Sequence, residues 1–116
     1  MDIEQLRTIC LQLPAVTEDV KWDHDLVFSI GDKMFCVASL EPPFTCSFKV
    51  PDAEYEELSV QQGFKPAPYM ARAKWVLITQ PNVMNKRQWE ERIRQSYDLV
   101  TAKLTKKLRE SLGILK

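Results

Sequence analysis

Leu26-Val27-Phe28-Ser29-Ile30-Gly31-Asp32-Lys33-Met34-Phe35-Cys36-Val37-Ala38-Ser39-Leu40 decides the fold of this 116-residue chain. Two runs of β-branched and aromatic residues flank Gly31-Asp32, and a third run, from Phe44 to Val50, follows Pro42-Pro43. Such runs, punctuated by Gly and Pro, read as three antiparallel strands over residues 26–30, 34–40 and 44–50. Parity selects the register. A two-residue turn would pair Phe28 with Phe35 and leave both faces apolar. A three-residue turn, Gly31-Asp32-Lys33, pairs Ile30 with Met34 and Phe28 with Cys36. It puts Leu26, Phe28, Ile30, Met34, Cys36, Ala38 and Leu40 on one face, joined by Phe44, Cys46, Phe48 and Val50. The longer turn is therefore expected, with Thr45, Ser47 and Lys49 pointing away from the core.

Helices flank this sheet. Residues 2–13 carry a capping-box pair, Asp2 and Gln5, and a stripe of Ile3, Leu6, Cys10 and Leu13, ended by Pro14. A shorter helix is expected over 52–61, opened by Pro51-Asp52 and closed by Gly63. A proline-rich bend, Lys65-Pro66-Ala67-Pro68-Tyr69, leads to a strand over 73–79. Asn85 with Gln88 then caps a helix over 86–112, whose stripe is Trp89, Ile93, Tyr97, Val100, Leu104 and Leu108. The order predicts an α+β fold: one antiparallel sheet backed on one face by the N- and C-terminal helices. No repeat or linker divides the chain, so residues 1–116 read as a single domain and a monomer is expected.

Composition narrows the function classes. Hydrophobic content of 45% and charged content of 28% are ordinary for a globular domain, and no apolar run approaches the roughly 20 residues of a membrane helix. Met1-Asp2-Ile3-Glu4 is acidic where a secretory signal is basic and then apolar, which predicts a cytoplasmic protein without a membrane partner. Cys10, Cys36 and Cys46 lack metal-site spacing and read as three free core thiols, with Cys36 and Cys46 diagonal to one another and near the limit of about 7 Å for a bridge. Net charge is zero, but residues 1–60 hold 4 Lys/Arg against 12 Asp/Glu, and the remainder reverse that excess. The division fits either two halves that fold against each other or a face turned to a polyanion.

Several fragments, in order and spacing, resemble the MmcQ/YjbR proteins of bacteria: Leu13-Pro14-Ala15-Val16, Trp22, Phe28-x-Ile30-Gly31-x-Lys33-Met34-Phe35, Phe48-Lys49-Val50, Pro66-x-Pro68-Tyr69, Lys74-Trp75-Val76 and Ser96-Tyr97. The resemblance spans nearly the whole chain, departing at Asp32, where many relatives carry a second glycine. It implies a CyaY-like (frataxin-like) double-wing sheet backed by two helices, and a predicted DNA-binding role. It carries no catalytic residue set.

The residues themselves offer little enzyme chemistry. The one histidine, in Trp22-Asp23-His24-Asp25, could be a base oriented by carboxylates, but the segment reads better as a solvated acidic loop. Ser96 reads as helical surface or as a packing neighbour of Tyr97. The acidic groups Glu18, Asp19, Asp23, Asp25 and Asp52, Glu54, Glu56, Glu57 lack the turn of a calcium loop, so neither a metal nor a cofactor is expected. Nucleic-acid contacts are read at Lys33 and Lys49 on the sheet and at Lys65, Tyr69, Arg72 and Lys74 around the bend, with Lys86 and Arg87 nearby. Trp75 and Trp89 read as core anchors. Lys103, Lys106, Lys107 and Arg109 suit a helix C-terminus. With a pI near 6.6, DNA binding should be weak, salt-sensitive and tolerant of sequence. The expected function is thus a small non-enzymatic accessory protein whose partner is DNA. The alternative is a protein–protein module using the acidic N-terminal half.

Overall fold

The computed structural model describes residues 1–114. Helix α1 (Ile3–Leu11) begins at the expected box: the Asp2 carboxylate accepts from the Gln5 N–H, and the Gln5 side chain accepts from the Asp2 N–H. Strands β1 (Val16–Lys21), β2 (Asp25–Ile30), β3 (Lys33–Ser39) and β4 (Cys46–Lys49) follow, then α2 (Asp52–Ser59), β5 (Phe64–Pro66) and β6 (Trp75–Ile78). The chain closes with α3 (Lys86–Thr101) and α4 (Lys106–Ser111). Six strands form one antiparallel sheet in the order β1-β2-β3-β4-β6-β5. The expected α+β architecture, an antiparallel sheet with helices on one face, is the one observed.

The central hairpin settles the parity question in a third way. Its turn has two residues, Gly31 at φ +52° and Asp32 at φ +71°, the backbone of the tight hairpin turn that suits strand twist. Ile30 therefore faces Lys33 and Ser29 faces Met34, yet Phe28 still faces Cys36, because Phe35 is an extra residue bulged into β3. The bulge puts both Phe35 and Cys36 in the core. Met34, expected in the core, turns to the other face. Leu40, also expected there, is exposed because β3 ends at Ser39.

Further segments differ from the sequence reading, among them Lys65-Pro66, which open the expected bend but pair with Leu77 and Val76 as part of β5. Trp22–His24 form the expected loop, but the acidic residues before it, read as a solvated face, lie in β1, whose Glu18 carboxylate accepts from Nε and Nη2 of Arg7 in α1 at 2.8 Å each. The last helix breaks after Thr101, and the Thr105 hydroxyl caps a new one by accepting the Leu108 N–H. That break folds α4 back over the hairpin: a side chain at Gly31 would meet Leu104, Leu108 and Leu112 at 3.0–3.3 Å. The stripe itself holds, since Trp89, Ile93, Tyr97, Val100 and Leu104 are all buried.

Between helices and sheet lies the core of Leu6, Cys10, Phe28, Phe35, Phe48, Val76, Trp89 and Ile93. Phe44 and Phe48 meet Trp89 edge-on at centroid distances of 6.2 Å. Ser96, read as surface or as a neighbour of Tyr97, is 0% exposed. The bulge separates the Phe35 carbonyl from the β4 ladder. Ser96 fills the gap, donating to the Phe35 carbonyl at 2.6 Å and accepting the Lys49 N–H at 2.9 Å. All three cysteines are buried and free, and the Cys36 and Cys46 sulfurs lie 3.4 Å apart. Burial drives the Cys36 pKa up, and Cys10 is raised by its contact with Cys36 and then by burial, so neither is a thiolate nucleophile at neutral pH.

Candidate functional site

Alternation gives the sheet a second face. Across the strands, Asp19, Val27, Val37, Ser47, Leu77 and Lys65 stand opposite one another in a single row. Their neighbours in each strand point into the helix-covered core, so this row lies on the side away from it. Three of the six are apolar, as is Trp75 one step along. An uncovered sheet face is ordinarily polar.

Residues 67–70 fold back over part of this face. The Ala67 N–H donates to the Trp75 carbonyl at 3.1 Å and the Trp75 N–H to the Met70 carbonyl at 3.3 Å, which pins the segment to β6. Trp75 and Ala67 are buried as a result. The remainder is an open cleft of about 510 Å³. Met34, Val37, Trp75 and Leu77 supply its apolar lining, and Ser39, Thr45 and Ser47 add hydroxyls. The β1–β2 hairpin contributes Trp22, His24 and Asp25; the returning segment contributes Pro68, Tyr69 and Met70.

The two hydrophobic rims share an unusual backbone. Trp22 (φ +53°) and Tyr69 (φ +66°) lie in the left-handed region that disfavours side chains of their size, as does Asp23 (φ +67°), a residue type that adopts it more readily. Despite this, Tyr69 is 103% exposed and Trp22 59% exposed. Ala15, Asp32 and Lys74 share this conformation elsewhere in the chain, but at the cleft mouth it falls on two large aromatic side chains whose rings stand in solvent.

The expected contact residues are only partly gathered there. Lys65 stands on the cleft face by register, and Tyr69 is the rim. Arg72 is exposed on the short helical turn Ala71–Ala73, just after the rim segment. Lys33 is paired with the core residue Ile30 and so lies on the helix side of the sheet, with its hairpin packed on α4 rather than projecting as a free wing. Lys49 does leave the core by parity, but it is only 8% exposed, its ammonium held by the Ala73 carbonyl. Burial, then repulsion from Lys103, lowers its pKa. Lys74 sits 5.0 Å over the Tyr55 ring. Lys86 and Arg87 are exposed at the start of α3, where Arg87 pairs with Glu91.

Trp22, Met34, Val37, Ser47 and Leu77 were not read as site residues. The available signal was apolar side chains at outward parity, in Val27, Val37 and Leu77. Aligning them requires the six-strand order. His24 lines the cleft, but no carboxylate hydrogen-bonds to its ring among the described residues. Among these residues no group of three His, Cys, Asp or Glu could hold a metal ion, and no helix is long and apolar enough to cross a membrane.

A family model described as YjbR matches residues 11–99. The crystal structure of Deinococcus radiodurans protein DR2400, described with the family-model domain DUF419, is similar at a TM-score of 0.86 and 31% identity, covering 98% of this chain and 88% of that one. The crystal structure of a protein from Pseudomonas syringae is similar in fold at a TM-score of 0.71 and 16% identity, covering 85% of this chain and 98% of that one. Among curated proteins nothing matches.

Proposed function

We propose that this chain, which belongs to the YjbR family, is a small cytoplasmic accessory protein that binds nucleic acid through the open face of its sheet, taking unpaired bases into the cleft between Trp22 and Tyr69. The observation that carries this reading is the pair of exposed aromatic rings held in left-handed backbone at the cleft mouth. Rings so placed stack on bases of any identity, which gives affinity without sequence preference. The lining is mostly apolar with a few hydroxyls, the usual make-up of a site for planar organic groups.

Of the cations expected from sequence as contacts, Lys65 and Arg72 are the two left to meet phosphate near the cleft. With Lys49 and Lys74 engaged inside the fold and Lys33 on the other face, four concerted phosphate contacts on a duplex are not available. Two contacts give a log–log salt slope of roughly −1 to −2 on single strands. The test is a titration of labelled single-stranded and duplex oligonucleotides at low and moderate salt. Single strands should bind better, and Trp22→Ala or Tyr69→Ala should each weaken binding by about tenfold to a hundredfold. Absence of binding to either strand form at low salt refutes the proposal. It would favour instead a protein partner for the acidic half, where Asp19, Asp23 and Glu41 are exposed.

A further inference from the structure

The two edges of the sheet are built differently. β5 is three residues long and carries Lys65 and Pro66, the charge and missing donor that discourage further pairing. β1 has six residues, no proline, and an unbroken register from Val16 opposite Ile30 to Lys21 opposite Asp25. Its outer side is open: Val20 is 54% exposed, and exposed Leu40 lines the same surface depression on the helix side. Asp19 and Lys21 share the cleft face, since they oppose Val27 and Asp25.

We propose that β1 is a self-association edge, at which a second copy of this chain adds its own β1 antiparallel with Val20 opposite Val20. Symmetry limits the choices. In a two-fold antiparallel pair whose facing side chains share a side, one residue of β1 must face its own copy. Centring on Glu18, Asp19 or Lys21 sets like charges against each other. Centring on Val16 or Thr17 runs the pair into Pro14, which has no N–H, whereas the Val20 register needs only Asp19–Lys21, since Trp22 at φ +53° ends the extended strand on that side. Centring on Val20 buries two apolar side chains together and sets Asp19 against Lys21 of the second copy, twice. The same two charges that blunt an isolated edge neutralise each other in this one register. The two-fold axis then stands perpendicular to the sheet, so both clefts open on one side of a continuous twelve-stranded sheet. The contact is small, which makes a dimer of modest affinity and departs from the monomer expected from sequence.

Sedimentation velocity without nucleic acid, from about 10 µM to about 1 mM, tests the proposal independently of any ligand. The native chain should shift from monomer to dimer within that range. Asp19→Lys and Lys21→Asp should each raise the dimer dissociation constant by about tenfold or more. An equimolar mixture of the two variants should recover a heterodimer, because the lysine introduced in one copy then faces the aspartate introduced in the other. Lys21→Asp also places a second carboxylate opposite Asp25, so its melting curve is recorded in parallel. Asp19→Lys, opposite Val27 on an exposed edge, decides the matter if Lys21→Asp unfolds. A native chain that stays monomeric to the top of the range, or dimers indifferent to Asp19→Lys, would overturn the assignment.

Discussion

The two faces of the sheet use the same residue types to opposite ends. On the helix side, polar atoms are paired inside the fold. Ser96, Trp89 and Tyr97 each donate to a distant backbone carbonyl, those of Phe35, Pro81 and Pro14. On the cleft side, aromatic rings stand in water, and Thr45, Ser47 and Ser39 line an open surface. The difference teaches that stability and recognition are separable here. One face should be sensitive to every lost atom, whereas the other should tolerate or even benefit from truncation.

The comparison breaks first at Trp89. Truncation to alanine should cost about 3–5 kcal/mol in urea denaturation, since Phe44 and Phe48 lose their shared partner. A loss below about 1 kcal/mol would mean the helix side is not the core.

Lys49 tests the boundary between the faces. Lys49→Glu should cost about 2–4 kcal/mol, because it sets a buried carboxylate beside the Ala73 carbonyl. Its pH dependence has a definite sign. The ammonium is disfavoured in the folded state, so that penalty is present at neutral pH and relieved as pH rises through the lowered folded pKa toward the ordinary 10.5. Lys49→Met should lack this alkaline rise in stability. A native and a Met variant with parallel pH profiles would place Lys49 in water.

Ser96→Ala comes next, at about 2 kcal/mol, because it strands the Phe35 carbonyl and the Lys49 N–H together. Unchanged stability would show that the bulge needs no clamp. Smallest and opposite in sign is Tyr69→Gly. Relief of left-handed strain should raise stability by about 0.5–1 kcal/mol while removing a stacking ring. A fall in melting temperature would show that the ring packs on the fold rather than serving a ligand.

How much of this was readable depended on range. Helix caps, the alternation of β4 and the stripe of α3 are local, and Asp2, Asn85 and the apolar spacing announced them. β1 was hidden because Thr17-Glu18-Asp19 reads as solvated charge until Arg7, 11 residues earlier, is seen to hold Glu18. That pairing keeps the Glu18 carboxyl below its ordinary pKa. Parity gave Phe28 opposite Cys36 but could not locate the Phe35 bulge that makes it so. Lys49 was assigned outward correctly. The cover over it comes from the 71–74 turn, and nothing in Phe48-Lys49-Val50 signals that. The cleft was least legible, since its walls come from strands brought together only by the completed sheet.

The dependence of the central hairpin on α3 also shapes how the chain emerges from the ribosome. β2 and β3 are fully translated by Ser39, but the serine that holds the Phe35 carbonyl and the tyrosine whose ring packs edge-on against Phe35 lie at positions 96 and 97. At about 5–20 residues per second, the apolar side of that hairpin waits roughly 3–12 s for its cover to be translated. During this interval Phe28, Phe35 and Phe48 are exposed on strands with open edges, the state most open to misassembly and to capture by chaperones. Pausing of translation between residues 50 and 95 would lengthen that exposure without altering a single contact of the finished protein.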